Sequence, residues 1–283
     1  MMPILARFQL PWLGNIVIAP FFTTILLGAL VLTLLVYRLF RANGIPPIVA
    51  IDMGIIGLVA SAIGSRIFHV LFEYPLYYWE DPWRVFDVMS GGFVSLGAYI
   101  ASVAAFYVYL RRRRMAVLPI FDQVARVVPV IIFFTRLGCF LTGCCYGRPT
   151  DSMFGIIFPP GSTAYYFLPG VAVHPYQLYD MINSLAMLVV LHLFYRRRKF
   201  LGQITAMFFI LLGASRFLLE YFRGDEDRGV YLKGILTSYG ISTGQIVMLI
   251  FLTLGIVMYR HWQRAANSKS APAADPATPD VSS

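Results

Sequence analysis

The chain has 283 residues, of which 58% are hydrophobic and only 13% charged, with a net charge of +9. A soluble domain carries about 25% charged residues, so the composition excludes an ordinary soluble fold and points to an all-α integral membrane protein. The basic residues stand in short clusters between apolar runs, the pattern of cytoplasmic loops, and no nucleic-acid partner is expected.

A helical crossing takes about 20 apolar residues, and about seven such runs divide the chain. Residues 8–37 hold no charge and are closed by Arg38 and Arg41; the first span is predicted at about 16–37. Only Arg7 precedes it and no small-residue cleavage site follows, so it reads as an uncleaved anchor. The second span, at about 46–72, contains Asp52, Arg66 and His69. A loop with Tyr74, Tyr77, Tyr78, Trp79 and Trp83 follows, and such aromatics suit a membrane interface. The third span, about 91–110, opens on Gly91, Gly92 and Gly97 and ends at Arg111–Arg114. Its glycines allow close helix contact or let backbone N–H groups approach an anion.

The fourth span, about 117–140, holds Asp122, Arg126 and Arg136. It leads into TRLGCFLTGCCYGR, residues 135–148, and an irregular stretch to about 173. The fifth span, about 175–195, starts with HPYQLYD and ends in a basic run from Arg196 to Lys199. The sixth, about 202–222, holds Arg216 and Glu220, and the seventh is predicted at about 238–259. Residues 1–262 therefore form one transmembrane domain, and 263–283, rich in Ala, Ser, Pro and Asp, read as a disordered cytoplasmic tail. The basic clusters follow spans one, three, five and seven. This predicts an N-terminus outside and a C-terminus in the cytoplasm.

With that orientation Arg66, Arg136 and Arg216 sit in the outer part of three different spans. An arginine at bilayer depth costs about 2.5–3.5 kcal/mol on insertion scales. Such residues either snorkel to the headgroups or face an anion. Their planar fork binds two phosphate oxygens at once. A lipid phosphate site follows from the second reading. Arg216 and Glu220, four residues apart, share a helix face that Arg223 extends. In the run His174–Asp180, Gln177 is three residues from both His174 and Asp180, so the three can share a face; with Tyr179 the run forms either an interfacial belt or a polar rim to the site. Asp52, Asp122 and Arg126, at the other end, read as bundle-stabilising groups. His69 and His192 read as structural. A zinc site needs about four ligands, and Cys139, Cys144 and Cys145 supply three. They are read as small packing groups, with a vicinal disulfide or a reactive thiol as alternatives, and no metal is expected.

The stretch 135–148 resembles the signature of the bacterial prolipoprotein diacylglyceryl transferase family. GSRIFHVLFEY (64–74), GGFVSLGA (91–98), HPYQLYD (174–180), SRFLLEYFRGD (215–225) and STGQI (242–246) support it in the same order. The resemblance implies a cofactor-free, multi-pass transferase of the bacterial inner membrane. It would move diacylglycerol from phosphatidylglycerol, drawn from the membrane lipids, to the lipobox cysteine of a prolipoprotein. Arg136, Arg216 and Glu220 would be catalytic. Arg66, Arg136, Gly91, Gly92, Gly97, His174, Gln177, Tyr179 and Arg223 would bind substrate. The signature's asparagines and glutamate are here Cys139, Thr142 and Cys144, and the histidine of the H-G-G turn is Leu96. Leu96 takes no proton, which leaves His174 or Glu220 as base. A paralogue that binds lipid without transfer, or one with another acceptor, is the alternative.

Overall fold

A computed structural model describes residues 6–10, 14–18, 20–87, 92, 94–225, 230–231 and 241–270. Strands β1 (Ala6–Leu10) and β2 (Gly14–Ile18) form an antiparallel hairpin. The first helix therefore begins later than the apolar run does. Residues 16–18 are Ile-Val-Ile, β-branched side chains that favour strand, and Pro20 opens α1 (Pro20–Ala42). Phe22, Leu26, Leu30 and Leu34 lie along one face of α1, each more than half exposed. Gly28 on the buried side lies against Phe134. An apolar outer stripe of this kind fits lipid contact.

Helix α2 (Ile48–Phe68) runs on into a π-helical turn, His69–Glu73. Helix α3 (Pro75–Glu80) and a 3-10 turn (Pro82–Phe86) carry the aromatic loop, with Trp79 and Trp83 largely exposed. Helix α4 (Ser95–Arg112) packs on α2. At the crossing a Cβ on Gly97 would strike the Gly64 carbonyl oxygen, so only small residues permit this approach.

Helices α5 (Val117–Ala125) and α6 (Pro129–Thr142) replace the expected straight fourth span; they are bent by 41°. Pro129 has no N–H to continue the α5 ladder, and it starts α6 instead. Helix α7 (Thr163–Phe167) lies in the loop before α8 (Tyr176–Arg196). Helix α9 (Gln203–Leu219) ends in a 3-10 turn, Glu220–Phe222. Strands β3 (Val230–Tyr231) and β4 (Ile241–Ser242) pair just before α10 (Thr243–Ser270). Helix α10 continues past Gln263, where the composition predicts a disordered tail; residues 271–283 lie outside the described residues.

Five helices among the described residues are long and apolar enough to cross a membrane: α1, α2, α8, α9 and α10 with their terminal turns. The bent α5–α6 pair makes a sixth if it counts as one crossing. Helix α4 falls short of this measure because Arg111 and Arg112 lower the hydropathy of its 18 residues.

Asp52, Asp122 and Arg126 brace the bundle. Asp122 caps α9: its Oδ2 accepts the Gly202 N–H at 2.8 Å, and its Oδ1 accepts the Thr205 N–H and hydroxyl at 2.9 and 2.8 Å. Arg126 donates to Gln123 at 2.9 Å, lies 3.2 Å from His192 Nδ1 and stacks over Tyr195. Asp52 pairs with Arg113 at 3.0 Å and with the Tyr109 hydroxyl.

Candidate active site

Helix α6 stops at Gly143, whose φ of +74° is the left-handed conformation of a helix C-cap. A Cβ there would meet Ser162 Cβ at 2.6 Å. The chain then folds back and is laced to two other segments. The Gly147 N–H donates to the His174 carbonyl at 3.1 Å, and the Arg148 N–H to the Phe222 carbonyl at 2.9 Å. The Gly224 N–H donates to the Tyr146 carbonyl at 3.0 Å. The ends of α6 and α9 and the start of α8 are thereby fixed to one another by backbone alone.

Arg136 from α6 and Arg216 from α9 converge on Asp180 of α8. Arg136 Nε donates to Asp180 Oδ2 at 2.6 Å, and Arg216 Nη1 lies 3.3 Å from the same oxygen. Arg136 and Asp180 are buried, so each would be costly there without the other. Tyr176, wholly buried, lies under the Arg136 guanidinium at 5.4 Å. Its hydroxyl has no hydrogen-bond partner among the described residues, and neither has Gln177 Oε1. Gln177 is fixed by its other atom, Nε2, which donates to the Cys144 carbonyl at 2.7 Å. Asp180 Oδ1 is likewise unmatched among the described residues, so the start of α8, where two arginines meet one carboxylate, carries three unmatched polar atoms.

Glu220 and Arg223 form the next layer. Arg223 Nη1 lies 3.6 Å from Glu220 Oε1, and its Nε and Nη2 bind both oxygens of Asp225 at 2.6 Å each. The Ser242 hydroxyl donates to Glu220 Oε1 at 3.2 Å, and Gly244 leaves room for that carboxylate. The STGQI stretch therefore folds against the α9 turn. His174 Nδ1 is 3.2 Å from the Tyr179 hydroxyl, and both rings pack on Phe222.

Arg66 serves another part of the fold. Its guanidinium donates to the carbonyls of Val85 (3.0 Å), Arg84 (2.8 Å), Asp87 (2.7 Å) and Gly92 (3.3 Å). It staples the aromatic loop to α2. Gly92, with φ +80°, sits where a Cβ would strike His69 and Arg66. Gly97 is the α2–α4 contact described above. Gly91 lies outside the described residues.

The three thiols meet at the α6 cap. Their sulfur atoms all lie within 4.8 Å of one another. Hydrogen bonds from the Cys139 and Cys144 thiols hold Cys145 well below the ordinary thiol range, and Arg136 and Arg223 add to the effect.

Residues 9–261 match the profile of the prolipoprotein diacylglyceryl transferase family. The chain belongs to that family. A phosphatidylglycerol–prolipoprotein diacylglyceryl transferase of Cupriavidus metallidurans is 31% identical over 223 residues, which is 78% of each chain. One from Janthinobacterium sp. is 33% identical over 73% of this chain and 75% of its own. One from Polynucleobacter necessarius is 29% identical over 90% and 92%. Membership in the diacylglyceryl transferase family accords with several apolar helices. Asp180, the carboxylate that both arginines share, is legible in the sequence as part of the polar HPYQLYD run, but not as the partner of the arginines. The sequence offers the three cysteines as a group, but the turn at Gly143 that brings their sulfurs together shows only in three dimensions.

Proposed function

We propose that the chain transfers diacylglycerol from phosphatidylglycerol to the lipobox cysteine of a prolipoprotein and releases glycerol phosphate. The observation that carries this reading is the convergence of Arg136 and Arg216 on one buried oxygen. A phosphodiester offers the same kind of acceptor, and two guanidinium groups stabilise charge as it develops on the departing phosphate. The names of the relatives support the same reaction.

In this reading Arg136 and Arg216 hold the phosphate. Tyr176 and Gln177 supply polar contacts beside it. Glu220, set by Arg223 and Ser242, organises the rim with His174 and Tyr179. The nucleophile is the acceptor's own sulfur, so the enzyme provides charge and position. Seven spans with the N-terminus outside would place this site toward the outer leaflet of the bacterial inner membrane, where prolipoproteins are met. The basic clusters after spans one, three, five and seven support that orientation.

The test gives purified protein phosphatidylglycerol labelled in its headgroup and a lipobox peptide. Lipidated peptide and free glycerol phosphate should appear together. Leu96 favours a second reading, lipid binding without transfer, which expects bound phosphatidylglycerol and no glycerol phosphate. A third reading, another acceptor, expects release that does not depend on the lipobox cysteine.

A further inference from the structure

Diacylglyceryl transfer consumes a thiolate, yet Leu96 stands where the family's turn histidine is expected. The cysteine cluster answers that need. Cys139 lies on the last turn of α6, and the left-handed Gly143 swings Cys144 and Cys145 back beside it. Cys145 itself has φ +53°, a strained conformation for a side chain other than Gly, Asn or Asp. Cys139 is buried while Cys144 and Cys145 are half-buried, so the cluster is not sealed.

Zinc bound by sulfur has bonds of about 2.3 Å, which space tetrahedral sulfurs about 3.8 Å apart. Sulfurs already within 4.8 Å of one another need little contraction to reach this. Two guanidinium groups touch the cluster: Arg136 Nη1 is 4.0 Å from Cys139 Sγ, and Arg223 Nη2 is 3.9 Å from Cys145 Sγ. A zinc ion with three thiolates is anionic, and a fourth thiolate adds to that charge; cationic donors on the sulfurs offset it. Packing alone accounts neither for the guanidinium contacts nor for the strained Cys145 backbone.

We propose that Cys139, Cys144 and Cys145 bind a zinc ion whose fourth position takes the acceptor's cysteine thiol. The proposal rests on the transferase reading and supplies its missing base. A thiol that joins zinc gives up its proton outright, here to water. The sulfur then forms a bond to the glyceryl carbon while that carbon's bond to the phosphate oxygen breaks. The electron pair stays on the departing glycerol phosphate, beside Arg136 and Arg216. The product is a neutral thioether, a weak zinc ligand, and it leaves.

The experiment uses the full chain, purified in detergent and reduced, and loaded with Zn²⁺ or Co²⁺. One ion per chain is expected, with a thiolate-to-cobalt charge-transfer band for Co²⁺. A lipobox peptide should raise that band by about a third, as three sulfurs become four, and its serine counterpart should not. C139S, C144S and C145S should each lose the band. Stripping zinc from the unaltered chain, which asks no variant to fold, should lower transfer about 10²-fold or more, the scale of a general base, and added Zn²⁺ should restore it. A chain that binds no zinc with its thiols reduced, one that holds copper in its place, or full transfer after stripping would overturn the proposal. If the peptide raises the band but no glycerol phosphate forms under any condition, the zinc site stands and the transferase reading fails.

Discussion

Arg136 donates to Asp180 across 2.6 Å, joining α6 to α8 inside the bundle. Arg216 reaches the same oxygen from α9. One carboxylate therefore sets the positions of two cations that come from different helices.

Replacing this carboxylate should loosen the bundle. Asp180→Asn leaves the buried Arg136 guanidinium and the partly buried Arg216 guanidinium without their anion, a loss of about 3–5 kcal/mol for buried pairs. Thermal unfolding in detergent should fall accordingly, and added phosphatidylglycerol should recover part of the loss. An unchanged melting temperature would show that the pair contributes nothing.

The arginines themselves should be indispensable to transfer. Arg136→Ala and Arg216→Ala should each lower turnover about 10²-fold or more, as removal of one transition-state donor does. Arg136→Lys should not rescue it, because an ammonium cannot reproduce the planar fork. The measurement is glycerol phosphate release per folded molecule. A lysine variant with full turnover would mean that charge alone suffices.

Far from the site, Asp122 should matter to stability and not to chemistry. Asp122→Ala removes the cap on α9, which costs about 1–2 kcal/mol at a helix start. Turnover of the folded fraction should stay near that of the unaltered chain. A large loss of turnover at unchanged stability would connect the α9 start to the reaction.

Gly97 offers a check on its assignment to packing. Gly97→Val puts a side chain onto the Gly64 backbone, and overpacking of this kind costs about 1–3 kcal/mol. Reduced yield and melting temperature are expected. Weakened phosphatidylglycerol binding in a chain of normal stability would return Gly97 to the lipid site.

Much of the site is legible in the sequence. An arginine within an apolar span is conspicuous, and Arg136 and Arg216 stand out for that reason, while HPYQLYD stands out as a polar run at the start of a span. Asp180 lies in that run, but its pairing with both arginines does not show, because 44 residues separate it from Arg136. Arg66 looks like its two counterparts in sequence. It differs because its hydrogen bonds go to backbone carbonyls of a loop, and a sequence gives no sign of where carbonyls point. The bend at Pro129 is visible as a proline, yet the unbroken apolar run around it predicts one straight span. The first helix starts later than predicted because hydropathy does not separate β-branched strand residues from helical ones. Helix α4 begins at Ser95, four residues after the predicted opening of its span at Gly91, which lies outside the described residues.

Asp180 has one more consequence. A site whose cations already hold an internal carboxylate admits a lipid only by exchange. A headgroup with net negative charge can replace that carboxylate without leaving the arginines bare. A zwitterionic headgroup brings its own cation into a place already rich in them. If the arginine pair is the lipid site proposed above, charge selection among membrane lipids is built into the resting protein.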